Sequence, residues 1–396
     1  MSSAQTPRYP PLKHPLDGIR VLELANYMAG PYCGMLLGDM GAEVIKVENP
    51  QGGDYTRLSA PQVQGESAGF MTLNRNKQSV TLNLKSERGR EIFKALARTA
   101  DVLVENFRPG TMADLGLAYP ALAAINPRLI YSAATGFGQS GPYRQRAALD
   151  LIVQGMSGLM SITGEPSAGL FGAYAILAAL FARERTGRGQ FIDVSLLESA
   201  LALEVWETSG YFANGQVPEP LGSAHRVNAP YQAFRTADGY VTIGATSPAN
   251  WKAFCAALNL QPLESDARFA TVPARRANYL ALAQTIEAVT TAQPSEHWYR
   301  LLEQAGVPCG VLNRLDQILS DEQIEARQFV VELPHSKVGT VRATGSPVRL
   351  SETPVRLERA GPLLGEHTRE VLGGLGLSES ELDELEMAGV TSARRA

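Results

Sequence analysis

Reactive side chains are few in this 396-residue chain, and their spacing narrows the chemistry before any fold is assigned. Cys33, Cys255 and Cys309 lie far apart and show neither CxxC pairing nor zinc-ligand spacing. They read as free thiols of a reducing cytosol. His225, His297, His335 and His367 are scattered, none with a companion at metal-ligand spacing on a helix, so no metal is expected. Ser140, in FGQSGP, lacks the GxSxG frame of a nucleophile elbow. The turn Ala25–Gly30 is more informative, because backbone N–H groups there, ahead of a helix N-terminus, suit a phosphate. It reads ANYMAGP rather than GxGxxG, which disfavours a nicotinamide-linked oxidoreductase.

That turn needs a sheet behind it. Asp17 to Glu48 reads as strand, turn, helix, strand. Ile19–Leu24 and Ala42–Val47 are apolar runs suited to strands covered on both faces, and Tyr32–Met40 winds behind Pro31. Two strands joined by a helix imply a right-handed crossover and a parallel sheet, whose ligands bind beyond the carboxyl ends of the strands. The alternation continues. Strands are predicted at Ser79–Leu84, Asp101–Asn106 and Leu129–Ala134, with helices from Ser86 and over Thr111–Ile125. The fold class is therefore α/β, a doubly wound sheet.

From Leu149 the texture changes. Leu151–Ile162 and Gly169–Arg183 read as buried helices, Phe191–Val194 as a strand, and Ser195–Phe212 as a helix. Tyr231–Phe234, the turn ADG and Tyr240–Gly244 read as a hairpin. Amphipathic helices follow at Trp251–Leu258, Ala277–Ala288 and Pro294–Ala305. Short strands at Val338–Arg342 and Val348–Leu350, then helices near Gly365–Met387, close the chain. We expect a large domain from 1–215, a smaller α+β domain from 228–319, and a return to the large domain from 335–396.

Composition sets limits on partners. Apolar residues make up 44% and charged ones 19%, an ordinary globular balance. A net charge of −4 gives no general attraction to nucleic acid, so an anionic ligand requires a local basic pocket. The opening MSSAQTPRYP has no apolar signal core and no stretch approaches a bilayer-spanning run. A cytoplasmic protein, with neither secretion nor membrane insertion, is the expectation.

Seven strings carry a resemblance when taken in order: PLDGIRVLELANYMAGPYCGMLLGDMGAEVIKVE, NRNKQSVTLNLK, DVLVENFRPG, ILAALFARERTGRGQFIDVSLLES, APYQAFRTADGY, AGVPCG and PLLGEHT. Together they resemble the class III CoA-transferases, whose familiar members include formyl-CoA transferase and carnitine CoA-transferase, over Pro15 to about Val390. The resemblance implies a Rossmann-like large domain, a smaller domain, and two chains interlocked as rings, in a homodimer or a heteromer with a related chain. It implies acyl-CoA and a carboxylic acid as substrates and no permanently bound cofactor. By match to motif, Tyr27, Met28, Ala29, Leu82, Asn106 and Phe107 line the nucleotide of CoA, with Lys85 and Arg108 as nearby cations. Asn49 stands where the family often has a cation, so the phosphate clamp differs.

In this family an aspartate carboxylate attacks the thioester, passing through a mixed anhydride and an aspartyl-CoA thioester, with backbone N–H groups stabilising each oxyanion. The family carries a Gly-Asp loop after a TGEP-like turn. Here Ser161–Pro166 runs directly into Ser167-Ala168-Gly169-Leu170, so roughly a dozen residues are absent and no residue matches the nucleophile. Asp150 and Glu165 are the available surrogates, although the plain structural reading of Asp150 is a helix-start carboxylate. The alternative is a CoA-binding, noncatalytic subunit or an inactive loop-deleted homologue. The related racemases of this fold are disfavoured, since the matching places hold Leu149 then Asp150, and Ser247.

Overall fold

The computed structural model describes residues 12–145, 156 and 168–393. Two compact units form, one from the chain up to Gln216 and again from Ala326, the other over Val217–Glu325.

The first unit is built on β1 (Arg20–Leu24), α1 (Ala29–Asp39), β2 (Glu43–Glu48), β3 (Lys77–Thr81), α2 (Glu87–Thr99), β4 (Val102–Glu105), α3 (Tyr119–Ile125), β5 (Ile130–Thr135), α4 (Ala168–Thr186) and β6 (Phe191–Ser195). These six strands pair in the order β3-β2-β1-β4-β5-β6, all parallel. The order reverses beside β1, which is where an open α/β sheet forms its ligand crevice. Alternate strand residues face opposite sides. Leu22, Ile45, Val80 and Leu103 pack against Phe93 and Leu96 of α2, while Val21, Val44 and Val104 pack against Leu37 of α1 and Ile176 of α4. Helix α2 forms because Ser86 caps it, its hydroxyl accepting the Gly89 N–H at 3.0 Å, and because Ile92, Phe93, Leu96 and Ala97 share a buried stripe.

The second unit holds β7 (Tyr231–Arg235), β8 (Tyr240–Gly244), α5 (Pro248–Ala257), α6 (Tyr279–Thr290), α7 (Ser295–Gln304) and β9 (Cys309–Val311). Its three strands are antiparallel around β8. Phe234, Trp251, Phe254, Leu282 and Trp298 fill its core. The chain then returns to the first unit through a hairpin of β10 (Val330–His335) and β11 (Gly339–Thr344), followed by α8 (Thr368–Gly373) and α9 (Glu379–Met387).

Differences from the sequence reading are local. The helix expected over Thr111–Ile125 is two pieces, Thr111–Asp114 and α3, because Gly116 turns left-handed at φ 67° and Pro120 opens α3. Ser195–Phe212 breaks at Glu204 into Leu196–Leu203 and Val205–Asn214. Val348–Leu350 is irregular rather than a strand; the partner of β11 is β10, which Pro334 disguises. The helix expected over Leu151–Ile162 lies outside the described residues except for Met156. Cys33, Cys255 and Cys309 are free thiols. Among the described residues no helix is long and apolar enough to cross a membrane.

Candidate active site at the carboxyl edge of the sheet

The edge beyond β1 is held from beneath by charge. Glu23, Lys46 and Lys77 sit on the α1 face of three adjacent strands, all three side chains wholly buried. Glu23 meets Lys46 Nζ and Lys77 Nζ, each at 2.8 Å. Lys46 also reaches Asp54 at 2.9 Å and donates to the Ala25 carbonyl at 2.7 Å. Gly34 makes room for this group, since a Cβ there would fall 1.9 Å from Glu23 Oε2. Burial alone would push the Lys46 ammonium toward neutrality, but Glu23, Asp54 and Glu48 outweigh it and raise its pKa. Lys77 is brought down to about 8, burial being the dominant cause.

This charge group fixes the turn above it. Asp54 accepts N–H groups from Tyr27 at 3.3 Å and Thr56 at 2.9 Å, so Lys46 ties the 25–27 turn to the 54–56 turn. Tyr27 is left-handed at φ 63° and its ring stacks on Tyr55, with centroids 5.5 Å apart. Both residues are more than half exposed, at 52% and 65%. Asn106, just past β4, clamps the same turn: it accepts the Asn26 N–H at 2.9 Å and donates to the Asn26 carbonyl at 2.7 Å. Gly30 permits the approach, since a Cβ would meet Ala25 at 2.4 Å.

Two carboxylates complete the edge. Glu48 takes a bidentate pair from Arg57 at 2.6 and 2.8 Å and the Ser79 hydroxyl at 2.6 Å. Burial opposes its charge, yet Arg57 holds its pKa below the usual range. Glu105, buried at the end of β4, accepts the Phe107 N–H at 2.7 Å and the Tyr131 hydroxyl, and burial pushes its pKa up to about 7.

The residues proposed from sequence separate into two groups. Tyr27, Met28, Ala29, Asn106 and Phe107 converge on the β1 and β4 ends, with Met28 exposed and Arg108 exposed beside them. Leu82 and Lys85 follow β3, one strand removed from β1 and two from β4. Lys85 is exposed, whereas Leu82 is 2% exposed inside the apolar cluster and offers almost no surface to a ligand. Asp150 and Glu165 lie outside the described residues. Sequence reasoning passed over Glu23, Lys46, Lys77, Asp54, Tyr55 and Glu105. For Glu23, Lys46, Lys77 and Glu105 the signal was a charged letter inside a strand run, because a buried charge requires a partner; Asp54 and Tyr55, in a loop, had none.

This is a Rossmann-like parallel α/β sheet, and its clamped turn sits at the switch point where open α/β sheets form their ligand crevice. Residues 16–368 match CoA-transferase family III, and the chain belongs to that family. It is 39% identical over 387 residues to the succinate–glutarate CoA-transferase of Agrobacterium fabrum, covering 92% of this chain and 97% of the relative. It is likewise 39% identical over 392 residues to the succinyl-CoA:glutarate CoA-transferase of Mus musculus, covering 95% and 90%. A crystal structure of a CAIB/BAIF family protein from Brucella suis superposes with a TM-score of 0.82 at 37% identity, covering 92% of this chain and 100% of that one. By family, then, this is a CoA-transferase, an enzyme class that takes CoA thioesters as substrates.

Proposed function

We propose that the chain binds an acyl-CoA along the carboxyl edge of its large unit and moves CoA from a dicarboxylyl thioester such as succinyl-CoA to a second carboxylic acid. The observation that carries this reading is the Asn106–Asn26 clamp, which holds the Tyr27–Ala29 turn against the Asn106–Arg108 turn. In the reading, Tyr27, Met28, Ala29, Asn106 and Phe107 line the nucleotide, Lys85 and Arg108 supply cations for its phosphates, and Leu82 packs the floor beneath. The acids named for the two relatives, succinate and glutarate, favour four- and five-carbon diacids.

The reaction runs by exchange at acyl carbon. A carboxylate attacks the thioester carbonyl, the C–S bond breaks, and CoA thiolate leaves a mixed anhydride. The thiolate then attacks the enzyme's acyl carbon and releases the donor acid. The acceptor carboxylate reverses the sequence and leaves as the new thioester. A carboxylate suits the task because its anhydride lies near the thioester in reactivity. Asp150 and Glu165 are the candidates in this chain for that nucleophile.

A second reading, a CoA-binding noncatalytic subunit, is favoured by one specific feature. The alignment with the Agrobacterium fabrum enzyme runs over 387 positions yet takes in only 92% of the 396 residues, so this chain is gapped where the relative continues. A gap between Pro166 and Gly169 would remove the family's Gly-Asp loop. Assembly is part of the proposal: Leu170, Tyr174, Leu177 and Phe181 form an exposed apolar stripe along α4 that supports an interlocked dimer. A cytoplasmic location follows the same reading.

The test is CoA exchange by the purified chain between succinyl-CoA and a panel of dicarboxylates, read by mass spectrometry. New thioesters, lost in Asp150→Ala or Glu165→Ala, support the enzyme. CoA binding without exchange supports the subunit. No CoA binding removes both.

A further inference from the structure

A cavity of about 60 Å³ lies in the first unit where the end of β10 meets the segment 359–367, with His335, Arg359, Gly361, Glu366 and His367 among its lining residues. It lies behind the Glu48–Arg57 pair, since Arg57 Nη1 donates to the lining Pro362 carbonyl at 3.0 Å, and no step of the proposed reaction uses it. Its polar groups are unusual in kind. His335 is 7% exposed, and its Nδ1 accepts two backbone N–H groups, from Lys337 at 3.1 Å and Val338 at 3.0 Å. Its proton therefore resides on Nε2, and this buried donor finds no acceptor in the protein.

His367 adds a second conflict. Its Nδ1 takes the Ser79 N–H at 3.3 Å, while its Nε2 faces Arg359 Nη1 at 3.1 Å. A neutral imidazole accepts at one nitrogen only, and a guanidinium never accepts. With Nδ1 engaged, Nε2–H confronts an arginine N–H, donor against donor. An acceptor shared by both would resolve that contact. Burial holds both imidazoles below their ordinary pKa, which keeps them in the single-proton form. Charges of both signs face the two rings: Glu366, which accepts the Leu363 N–H at 2.7 Å, acts on both, with Glu66 beside His335 and Glu370 beside His367, while Arg359, Lys337 and Arg57 supply the positive side.

We propose that this cavity is a binding site for one small monovalent anion, a halide or a formate-sized carboxylate, held by His335 Nε2, His367 Nε2 and the Arg359 guanidinium. The volume is ample for such an ion. Bound there, the ion joins the hairpin to the segment that docks on β3. Gly365 donates to Ser79 Oγ at 2.9 Å and that hydroxyl reaches Glu48, so the site braces the ligand edge from behind.

The experiment is thermal unfolding of the full chain at constant ionic strength, with gluconate replaced stepwise by chloride or by formate. Saturable stabilisation is expected, about 2–4 °C at a hundredfold excess over Kd, and it should vanish in His335→Phe. The more effective of the two ions tells halide from carboxylate. Should His335→Phe not fold, crystals of the native chain grown in bromide decide the matter: an anomalous peak within hydrogen-bond reach of His335 Nε2 supports the site. A water at that position, or equal midpoints in all three salts, overturns it.

Discussion

The two faces of the strands β3, β2 and β1 differ: both carry apolar residues, but only the α1 face adds a buried ion group to its apolar cluster of Val21, Val44 and Leu37. On the α2 face, Leu22, Ile45 and Val80 pack into a continuous apolar cluster with Phe93 and Leu96. On the α1 face, the neighbouring residues Glu23, Lys46 and Lys77 form a buried ion group. The apolar face is non-directional, and its stabilisation scales with area removed from water. The charged face is directional: each atom must meet a specific partner, so it fixes where the 25–27 and 54–56 turns sit. Apolar packing on both sides holds the fold together, and the ion group on the α1 side positions the turns proposed as the ligand edge.

Breaking the charged face should therefore have the largest effect. Lys46→Ala leaves Glu23, Asp54 and the Ala25 carbonyl facing a void at a site that is wholly buried. The expected loss is about 3–5 kcal/mol in denaturant unfolding, because removing one member strands the charge of the others. A loss below about 1 kcal/mol would mean that water reaches the group and that the contrast between the faces is wrong.

Glu105 sharpens the comparison through pH, since it is a charged residue at the end of a strand otherwise buried among apolar groups. Its carboxyl rises from an ordinary 4.5 to about 7 on folding. Between these values the native state binds more protons than the unfolded chain, so stability falls as pH rises. The stabilisation is fully present below pH 4.5 and lost by about pH 7, amounting to roughly 3 kcal/mol for a group this buried. Glu105→Gln should flatten that slope in pH-dependent chemical denaturation. An unchanged slope would assign it to other groups.

On the opposite face the smaller response is expected. Ile45→Val, one residue from Lys46 on the same strand, removes a single methyl group from a site 1% exposed and should cost about 0.5–1.5 kcal/mol. Urea unfolding of the two variants side by side measures the asymmetry directly. Near-equal losses would erase it.

The same division decided what the sequence could disclose. Apolar runs and βα alternation made β1, α1, β2 and the parallel sheet readable, because burial on both faces leaves a periodic trace. The turn Ala25–Gly30 was readable as the loop at the carboxyl end of β1 for the same reason. The ion group was not. Glu23, Lys46 and Lys77 are separated by 23 and 31 residues and meet only through strand register, and Asp54 comes from a segment with every mark of a loop. Leu82 illustrates the converse, a residue matched by motif whose side chain the fold turns inward. Tyr55 carried no local signal at all, since its role arises from the stack with Tyr27.

Tyr27 provides the smallest effect on stability and the most specific one on binding. A non-glycine residue at φ 63° costs about 1–2 kcal/mol, and such strain persists where the surroundings over-determine it. Here the Asp54 carboxylate and the Asn106 clamp do so from either side. Tyr27→Gly relieves the strain but gives up the Tyr55 stack, worth about 0.5–1.5 kcal/mol, and frees the unfolded chain. The net change in stability should stay within about 1 kcal/mol. CoA affinity should nonetheless fall about five- to tenfold in calorimetric titration, close to 1 kcal/mol, because the exposed ring is lost from the edge proposed for the nucleotide. A large drop in melting temperature with unchanged affinity would reverse the assignment and make Tyr27 part of the scaffold, leaving the charged face to position something other than the ligand.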